Sequence, residues 1–146
     1  MSNDENKLLL KNQLCFSLYA ASRAVTRLYQ PTLSELGLTY PQYIVMLILW
    51  EKDKQLVGEI GKAAQLNTNT LTPLLKRLEA NGLITRQRLQ TDERRCIVEL
   101  TNKGAALKEH CQCLPTQLLT QSRFSLEKAR QLKTLLDEFL EITSPE

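Results

Sequence analysis

The chain has 146 residues, of which 42% are hydrophobic, 24% charged and 5% aromatic, and its formal net charge is +3. This length fits one domain, and the composition is that of an ordinary globular protein. The longest apolar run, residues 43–50, is far shorter than the ~20 residues that a membrane-spanning helix needs. The polar N-terminus lacks the basic and apolar segments of a signal peptide. We therefore expect a cytoplasmic protein with no membrane association.

The four cysteines are Cys15, Cys96, Cys111 and Cys113. In the absence of a secretory signal, and with spacings that form no regular ladder, they do not predict a disulfide framework. We expect reduced thiols, so an oxidised cysteine in this chain would more often be regulatory or catalytic than structural.

The N-terminal part of the sequence predicts helices that are separated by proline and glycine signals. Apolar residues recur at steps of three and four within residues 7–28, as on one face of an amphipathic helix. Pro31 is expected to separate this helix from the next, because proline disfavours helical backbone in the residue before it. A short helix follows and ends at Gly37, which suits a left-handed cap. Pro41 then opens the most apolar helix, which extends to about Lys52.

The central part combines helical and strand patterns. Helical patterns over residues 56–65 and about 70–80 are separated by a polar turn, and the second ends at an Asn-Gly pair. Two strand patterns, residues 83–88 and 95–100, then flank a charged loop. This order predicts a helix-turn-helix followed by a β-hairpin, which is a winged helix-turn-helix.

The C-terminal part predicts two further helices. Residues 101–114 have a helical pattern that is interrupted at Gly104 and ends near Pro115. Ser125 suits the N-cap of a final helix with an apolar stripe. The predicted fold class is mainly α with a small β-hairpin. We expect a single domain, residues 1–146, with a winged helix-turn-helix over about 53–101 and dimerisation helices over about 7–50 and 102–143.

The central segment suits docking on DNA. The second helix of such a motif enters the major groove, and the hairpin tip reaches the neighbouring backbone or minor groove. Residues 76–95 hold six basic and three acidic side chains, so this segment is more basic than the chain as a whole. The candidate DNA-binding residues are Thr68, Asn69, Thr70, Thr72, Lys76, Arg77, Arg86, Asp92, Arg94 and Arg95. Asp92 is expected to hold Arg94 at the hairpin tip for a narrow minor groove.

Two alternatives stay open for these surfaces. Any single residue of the DNA-binding set could equally belong to an ordinary solvated surface. The apolar first and last helices exceed what a small core needs, which favours pairing with a second copy and a two-fold dimer on a pseudo-palindromic operator. The competing interpretation of the last helix is an ordinary intramolecular core.

Cys15 lies on the predicted first helix, with Tyr19 one turn later on the same face. A cysteine on an apolar helix is most often a small buried hydrophobe. Tyr29 and Tyr40 lie at helix ends, however, where their hydroxyls can point inward. Phenols that donate hydrogen bonds to sulfur favour the thiolate, which is the nucleophilic form.

The sequence resembles the MarR superfamily of bacterial transcription regulators over residues 8–140. The superfamily motifs are Leu-Lys-Arg-Leu-Glu at 75–79, Gly-Leu-Ile-Thr-Arg at 82–86, Asp-Glu-Arg-Arg at 92–95, and Leu100-Thr101 with Gly104. Asn-Gln-Leu-Cys-Phe at 12–16, Leu-Tyr at 18–19 and Leu-Thr-Tyr-Pro-Gln-Tyr at 38–43 are similar to the organic hydroperoxide resistance repressors.

The resemblance implies a homodimeric, DNA-binding transcriptional repressor that senses organic hydroperoxides and is not an enzyme. Cys15 would be the peroxide-reactive thiolate, hydrogen-bonded by Tyr29 and Tyr40 with Tyr19 nearby. Oxidation to the sulfenic acid would break those hydrogen bonds and separate the dimer from its operator. No cofactor is implied.

The family completes this oxidation in two ways. One branch has a single sensing cysteine and forms a mixed disulfide with a low-molecular-weight thiol. The other branch uses a second cysteine from the C-terminal part of the partner subunit, beyond the position of Pro115, where residues 116–122 hold none. Cys111 and Cys113 lie just before that position. They could be resolving thiols or could take no part in the oxidation, and the second interpretation is favoured. Cys96 is expected to be buried packing in the second strand.

Three other functions are weighed against this one. His110 with Cys111 and Cys113 forms no convincing metal site, because these residues cannot all face one ion on a helix and no fourth ligand is suitably spaced. A thiol peroxidase would use Cys15 for the same first step, but the chain has no positioned acid–base pair. The third alternative is a repressor of the same fold that is released by a phenolic ligand. Its Cys15→Ser variant would still respond to that ligand.

Overall fold

A computed structural model describes residues 4–144, and it divides into two units, residues 1–111 and 112–146. The helices of the first unit are α1 (Asp4–Lys7), α2 (Leu14–Glu35), α3 (Tyr40–Glu51), α4 (Val57–Ala64), α5 (Thr68–Ala80) and α6 (Asn102–Cys111). Its strands are β1 (Gln55–Leu56), β2 (Ile84–Arg88) and β3 (Cys96–Leu100). The second unit contains α7 (Leu114–Ser122) and α8 (Leu126–Thr143). The predicted fold class, mainly helical with a small β element, is confirmed.

Helix α2 differs from its prediction at both ends. It begins at Leu14, after the short α1 and a 3-10 turn at Leu10–Asn12, and it continues through Pro31 without a break. The predicted break was therefore wrong. A proline inside a helix costs about 3 kcal/mol, because it removes a hydrogen bond and crowds the preceding turn. Leu33, two residues later, is completely buried, and burying a leucine contributes roughly 1.5–3 kcal/mol. Burial of Leu33 in the last turn thus offsets much of the free-energy cost of placing a proline inside the helix.

The end of α2 is fixed by the predicted glycine cap. Gly37 has φ of 75°, which suits glycine because it has no Cβ. The Leu38 N–H donates to the Leu33 carbonyl at 2.9 Å and the Gly37 N–H to the Ser34 carbonyl at 3.1 Å. This is the Schellman arrangement, and it satisfies carbonyls that the helix end leaves free. Thr39 then caps α3, because its hydroxyl accepts from the Gln42 N–H.

The two central helices form the expected helix-turn-helix. The Asn67 side chain accepts from the Thr70 N–H at 2.9 Å and so begins α5 at Thr68, two residues before the predicted start. The turn from α4 is tight, because a Cβ added at Gly61 would lie 2.9 Å from the Leu66 carbonyl oxygen. The fully buried side chains that join these helices to the core include Ile60, Leu71, Leu75 and Leu78.

The hairpin is confirmed, and it is part of a three-stranded antiparallel sheet of order β1-β3-β2. In the hairpin, Ile84 pairs with Leu100 and Arg88 with Cys96. The two-residue strand β1 pairs with the other side of β3. β1 is not predicted from the sequence, because two residues are too few to show a period. We call residues 84–100 the wing.

The C-terminal prediction needs two corrections. Helix α6 is not interrupted at Gly104, and Pro115 does not end a helix but lies in the first turn of α7. Proline is favoured there, because its missing N–H would be unpaired anyway. The predicted cap of the last helix is confirmed, since the Ser125 hydroxyl accepts from the Lys128 N–H at 3.1 Å. Within residues 4–144, no helix is both long and apolar enough to cross a bilayer.

Candidate functional site

The first half of α5 presents the predicted polar residues at a helix N-terminus. Thr68, Asn69 and Thr70 are exposed in the first turn, while Thr72 is half-buried and donates its hydroxyl to the Thr68 carbonyl at 2.8 Å. Lys76 and Arg77 are exposed in the later turns. Free amide groups and hydroxyls at a helix N-terminus are natural partners of phosphate oxygens.

Asp92 orders the tip of the wing through the backbone. Its Oδ1 accepts from the Arg94 N–H at 3.0 Å, and its carbonyl accepts from the Arg95 N–H at 3.0 Å. The Leu89 N–H donates to the Arg95 carbonyl at 2.9 Å and closes the loop. Asp92 therefore acts on Arg94 as predicted, but it binds the main chain of Arg94. Both arginine side chains remain exposed at the tip.

Arg86 is placed differently from the other predicted DNA-binding arginines. Its Nη2 donates to Glu79 Oε1 at 3.0 Å, and its side chain is only 23% exposed. The hydrogen bond from Arg86 is the main cause that lowers the pKa of Glu79 from its ordinary value. This pairing is not predicted from the sequence, because Glu79 and Arg86 lie seven residues apart on either side of a helix stop and share no local period.

A groove of about 400 Å³ separates α5 from the wing. Its walls include Thr72 from the helix and Arg88 and Arg94 from the wing. Cys96 lines the same groove and is half-buried rather than fully buried. The groove thus lies within the surface that carries most of the predicted DNA-binding residues.

An Arg94→Ala variant is expected to bind operator DNA about ten-fold more weakly than the parent protein at moderate salt. The exposed guanidinium of Arg94 is free to neutralise phosphate charge, and each lost phosphate contact lowers the slope of log affinity against log salt by about one. Fluorescence anisotropy at several salt concentrations measures both quantities. Lys108→Ala, which removes an exposed cation from α6, is the matched control and should leave the slope unchanged. An unchanged slope for Arg94→Ala would contradict a phosphate contact.

Cys15 is the second residue of α2 and is exposed, which corrects its expected place inside a longer helix. Tyr19 follows one turn later and is also exposed. Its hydroxyl accepts from Arg23 Nη1 at 2.9 Å, and the Arg23 guanidinium lies 5.5 Å from the centre of the Tyr19 ring. Cys15, Tyr19 and Arg23 succeed one another at steps of four residues, so they share one face of the helix.

Tyr29 and Tyr40 are brought together by the packing of α2 on α3. Their ring centres are 5.1 Å apart, and Tyr43 joins them at 5.6 Å from Tyr29. Burial raises the pKa of both Tyr29 and Tyr40 above the ordinary value. The pKa of Tyr43 is raised to about 12, by burial first and then by Tyr29, Cys111 and Tyr40. All three phenols therefore keep their protons at neutral pH and can donate hydrogen bonds.

One chain does not bring Cys15 to these phenols. Cys15 and Tyr29 lie fourteen residues apart on the same unbroken helix, which corresponds to about 21 Å along its axis. Tyr19 is the only tyrosine within about one turn of Cys15 on that helix. Any contact between Cys15 and the Tyr29–Tyr40 pair would need a second chain.

The remaining thiols have different surroundings, and all four cysteines are free. Cys111 is buried at the end of α6, and burial raises the pKa of its thiol. Cys113 is exposed in the second unit. Within the described part of the chain, no group of three His, Cys, Asp or Glu side chains could hold a metal ion.

Several helices leave large apolar side chains exposed. On α2 these include Leu14, Phe16, Val25 and Leu28, and on α8 they include Leu126, Leu132, Leu135, Phe139, Leu140 and Ile142. None of the side chains of α8 is fully buried. Exposed apolar surface of this extent is typical of a protein–protein interface.

Comparison with known proteins identifies the family. The family described as transcriptional regulator SarA/Rot matches residues 27–111. An organic hydroperoxide resistance transcriptional regulator of Bacillus subtilis is 46% identical over 141 residues, which cover 97% of this chain and 96% of the relative.

Solved structures agree with this similarity. The structure of reduced AbfR bound to DNA, a protein of Staphylococcus epidermidis, is 37% identical with a TM-score of 0.80 and covers 97% of each chain. MarR itself shares the fold with a TM-score of 0.74 at 21% identity, over 88% of this chain and 95% of MarR. These relatives are transcriptional regulators and not enzymes. The chain belongs to the MarR superfamily of DNA-binding transcriptional regulators, in the branch of the organic hydroperoxide resistance regulators.

Proposed function

We propose that this protein is a homodimeric repressor that releases a pseudo-palindromic operator when an organic hydroperoxide oxidises Cys15. The observation that carries the proposal is the arrangement of α2. An exposed thiol lies at one end of the helix, and a cluster of protonated phenols lies near the other end. The names of the relatives support this function, since one is a regulator of organic hydroperoxide resistance and another binds DNA in its reduced form.

A two-fold dimer would complete the sensing site. A two-fold axis that passes beside α2, midway between Cys15 and Tyr29, would place the thiol of one copy near the phenols of the other. The exposed apolar side chains of α2 and α8 supply the surface that such a dimer would bury. The same symmetry presents two copies of α5 to successive major grooves, which explains why a pseudo-palindromic operator is expected.

The chemistry begins at the first turn of α2. A thiolate, and not a thiol, is the nucleophilic form of cysteine, so the thiolate of Cys15 is the attacking species. The sulfur attacks one peroxide oxygen, an S–O bond forms, and the O–O bond breaks. The sulfur loses two electrons, and the leaving alkoxide takes a proton from a phenol or from water to become an alcohol. The phenols of Tyr29 and Tyr40 are protonated and can donate the hydrogen bonds that this step requires.

We further propose that a low-molecular-weight thiol completes the oxidation. Its thiolate attacks the sulfenic sulfur, an S–S bond forms and the S–O bond breaks, and the departing hydroxyl takes a proton from solvent to become water. Burial of Cys111 keeps its thiol protonated and inaccessible, which argues against its acting as the resolving thiol. Cys113 is exposed and remains the competing candidate, as the sequence analysis left it.

A gel-shift experiment on the promoter beside the protein's own gene tests the proposal. The reduced protein should retard the fragment, an organic hydroperoxide should release it, and a dithiol reductant should restore binding. A simple phenol without oxidant should have no effect. Release by the phenol alone would support the ligand-gated alternative. Binding that persists under hydroperoxide would contradict oxidation sensing, and catalytic consumption of hydroperoxide at a rate typical of enzymes would indicate a thiol peroxidase.

A further inference from the structure

The carboxylate of Glu79 joins the recognition helix α5 to the wing by two hydrogen bonds. Its Oε2 accepts from the Arg86 backbone N–H at 3.0 Å, and its Oε1 accepts from Arg86 Nη2 at 3.0 Å. One acidic side chain in the last turn of α5 therefore holds both the main chain and the guanidinium of a residue in the middle of β2.

The backbone half of this contact occupies the edge of the sheet. The Thr101 N–H donates to the Leu83 carbonyl and the Leu89 N–H to the Arg95 carbonyl. Antiparallel partners alternate between pairs with and without hydrogen bonds, so the Arg86 N–H faces away from β3. Because β2 is an edge strand, this donor has no neighbouring strand. Glu79 supplies the acceptor that another strand would provide.

The side-chain half of the contact pairs the Arg86 guanidinium with Glu79, so this cation is not free to bind a phosphate. Its Nε is buried and has no partner among the described residues, and its Nη2 is held by Glu79. Arg94 and Arg95, by contrast, are exposed, and neither forms an ion pair within residues 4–144. Of the four arginines of the wing, Arg86 is held by Glu79, and Arg88 donates its Nη1 to the Glu93 carbonyl at 3.1 Å. The other two are exposed at the tip.

We propose that Glu79 and Arg86 are positioning residues for DNA binding. They fix the direction of the wing relative to α5, so that the wing tip and the recognition helix engage the duplex together. Arg86 then contributes to operator affinity through Glu79 and without contacting a phosphate. The proposal rests on DNA binding alone, so it is independent of thiol oxidation at Cys15.

The proposal can be tested because it predicts a change in DNA affinity opposite in sign to the change that simple electrostatics predicts. Removing an acidic side chain from a DNA-binding surface ordinarily strengthens phosphate binding. If Glu79 positions the wing, Glu79→Ala instead weakens binding of the reduced protein to the promoter fragment, by about ten-fold for the loss of a charge-assisted pair. Arg86→Ala should weaken binding by a similar factor. The double variant should bind no more weakly than the weaker single variant, because both changes remove the same contact.

The salt dependence separates positioning from direct contact. The slope of log affinity against log salt should be unchanged in Arg86→Ala, whereas it falls by about one in Arg94→Ala. Affinities are measured well below the unfolding temperature of each variant, so that lost stability alone leaves them unchanged. Glu79→Gln retains a carbonyl oxygen for the Arg86 N–H and should recover part of the affinity, and it replaces Glu79→Ala if that variant does not fold. Stronger or unchanged binding by the Glu79 variant, or a reduced slope in Arg86→Ala, would overturn the proposal.

Discussion

A Cys15→Ser variant is expected to stay on its operator at hydroperoxide concentrations that release the parent protein completely. Serine is nearly isosteric with cysteine, so the first turn of α2 and the apolar faces around it should be preserved. Its hydroxyl is not ionised at neutral pH and does not attack a peroxide, so the proposed oxidation step cannot begin. Gel shifts over a hydroperoxide titration measure the effect, which should exceed a hundred-fold change in the releasing concentration, or about 2.7 kcal/mol.

The other cysteines supply the controls for this experiment. Cys113→Ser removes the second thiol that is exposed within the described residues, and Cys96→Ser removes the half-buried thiol of the wing groove. Both variants should release the operator as the parent protein does. Intact mass after oxidation should show one added oxygen or one mixed disulfide per chain in each of them, and neither in Cys15→Ser. Normal release of Cys15→Ser would show that another group senses the signal.

Gly104→Ala is expected to lower the free energy of unfolding by about 3 kcal/mol, because α6 passes too close to the start of the wing for a side chain. A Cβ at Gly104 would lie 2.1 Å from the Leu83 carbonyl oxygen. That oxygen already accepts from the Thr101 N–H, and the Gly104 carbonyl accepts from Trp50 Nε1 at 2.9 Å. Relief of the clash must therefore displace backbone that is held by these hydrogen bonds.

Gly58→Ala is the matched control, since it makes the same change in another helix of the same unit. A Cβ at Gly58 meets nothing within 4 Å, so this substitution should be neutral or should raise stability by up to about 1 kcal/mol through helix propensity. Urea unfolding monitored by circular dichroism compares the two variants. Equal stability of Gly104→Ala and the parent protein would contradict the close approach of α6 to Leu83.

The parts of the fold that the sequence predicts well are those with strong local signals. The helix-turn-helix and wing follow from a 3.6-residue period, an Asn-Gly stop and two strand patterns, and the structure places them within two residues of their predicted bounds. The continuous path of α2 through Pro31 could not be predicted in this way. It coincides with the complete burial of Leu33, which no local rule for proline takes into account.

The candidate site shows the same division between local and distant information. Motif resemblance selected Cys15, Tyr29 and Tyr40, and of these three residues one chain brings together the two tyrosines, whose ring centres are 5.1 Å apart. The sequence alone did not show that the thiol lies about 21 Å from Tyr29 along one unbroken helix. It also grouped Arg86 with the DNA-contacting arginines, because a charge count cannot distinguish a free guanidinium from one that Glu79 already binds.

The unbroken path of α2 has a mechanical consequence. Leu33 fixes one end of the helix in the core, and Cys15 lies eighteen residues away, about 27 Å along the axis. The helix can therefore tilt as one rigid body about its buried end at Leu33. A tilt of about 5° about Leu33 moves the Cys15 end of the helix by about 2 Å over this length. A break at Pro31 would have formed a hinge and absorbed that motion. Under the proposed oxidation of Cys15, the unbroken helix would instead carry a small displacement of its first turn to the buried end at Leu33.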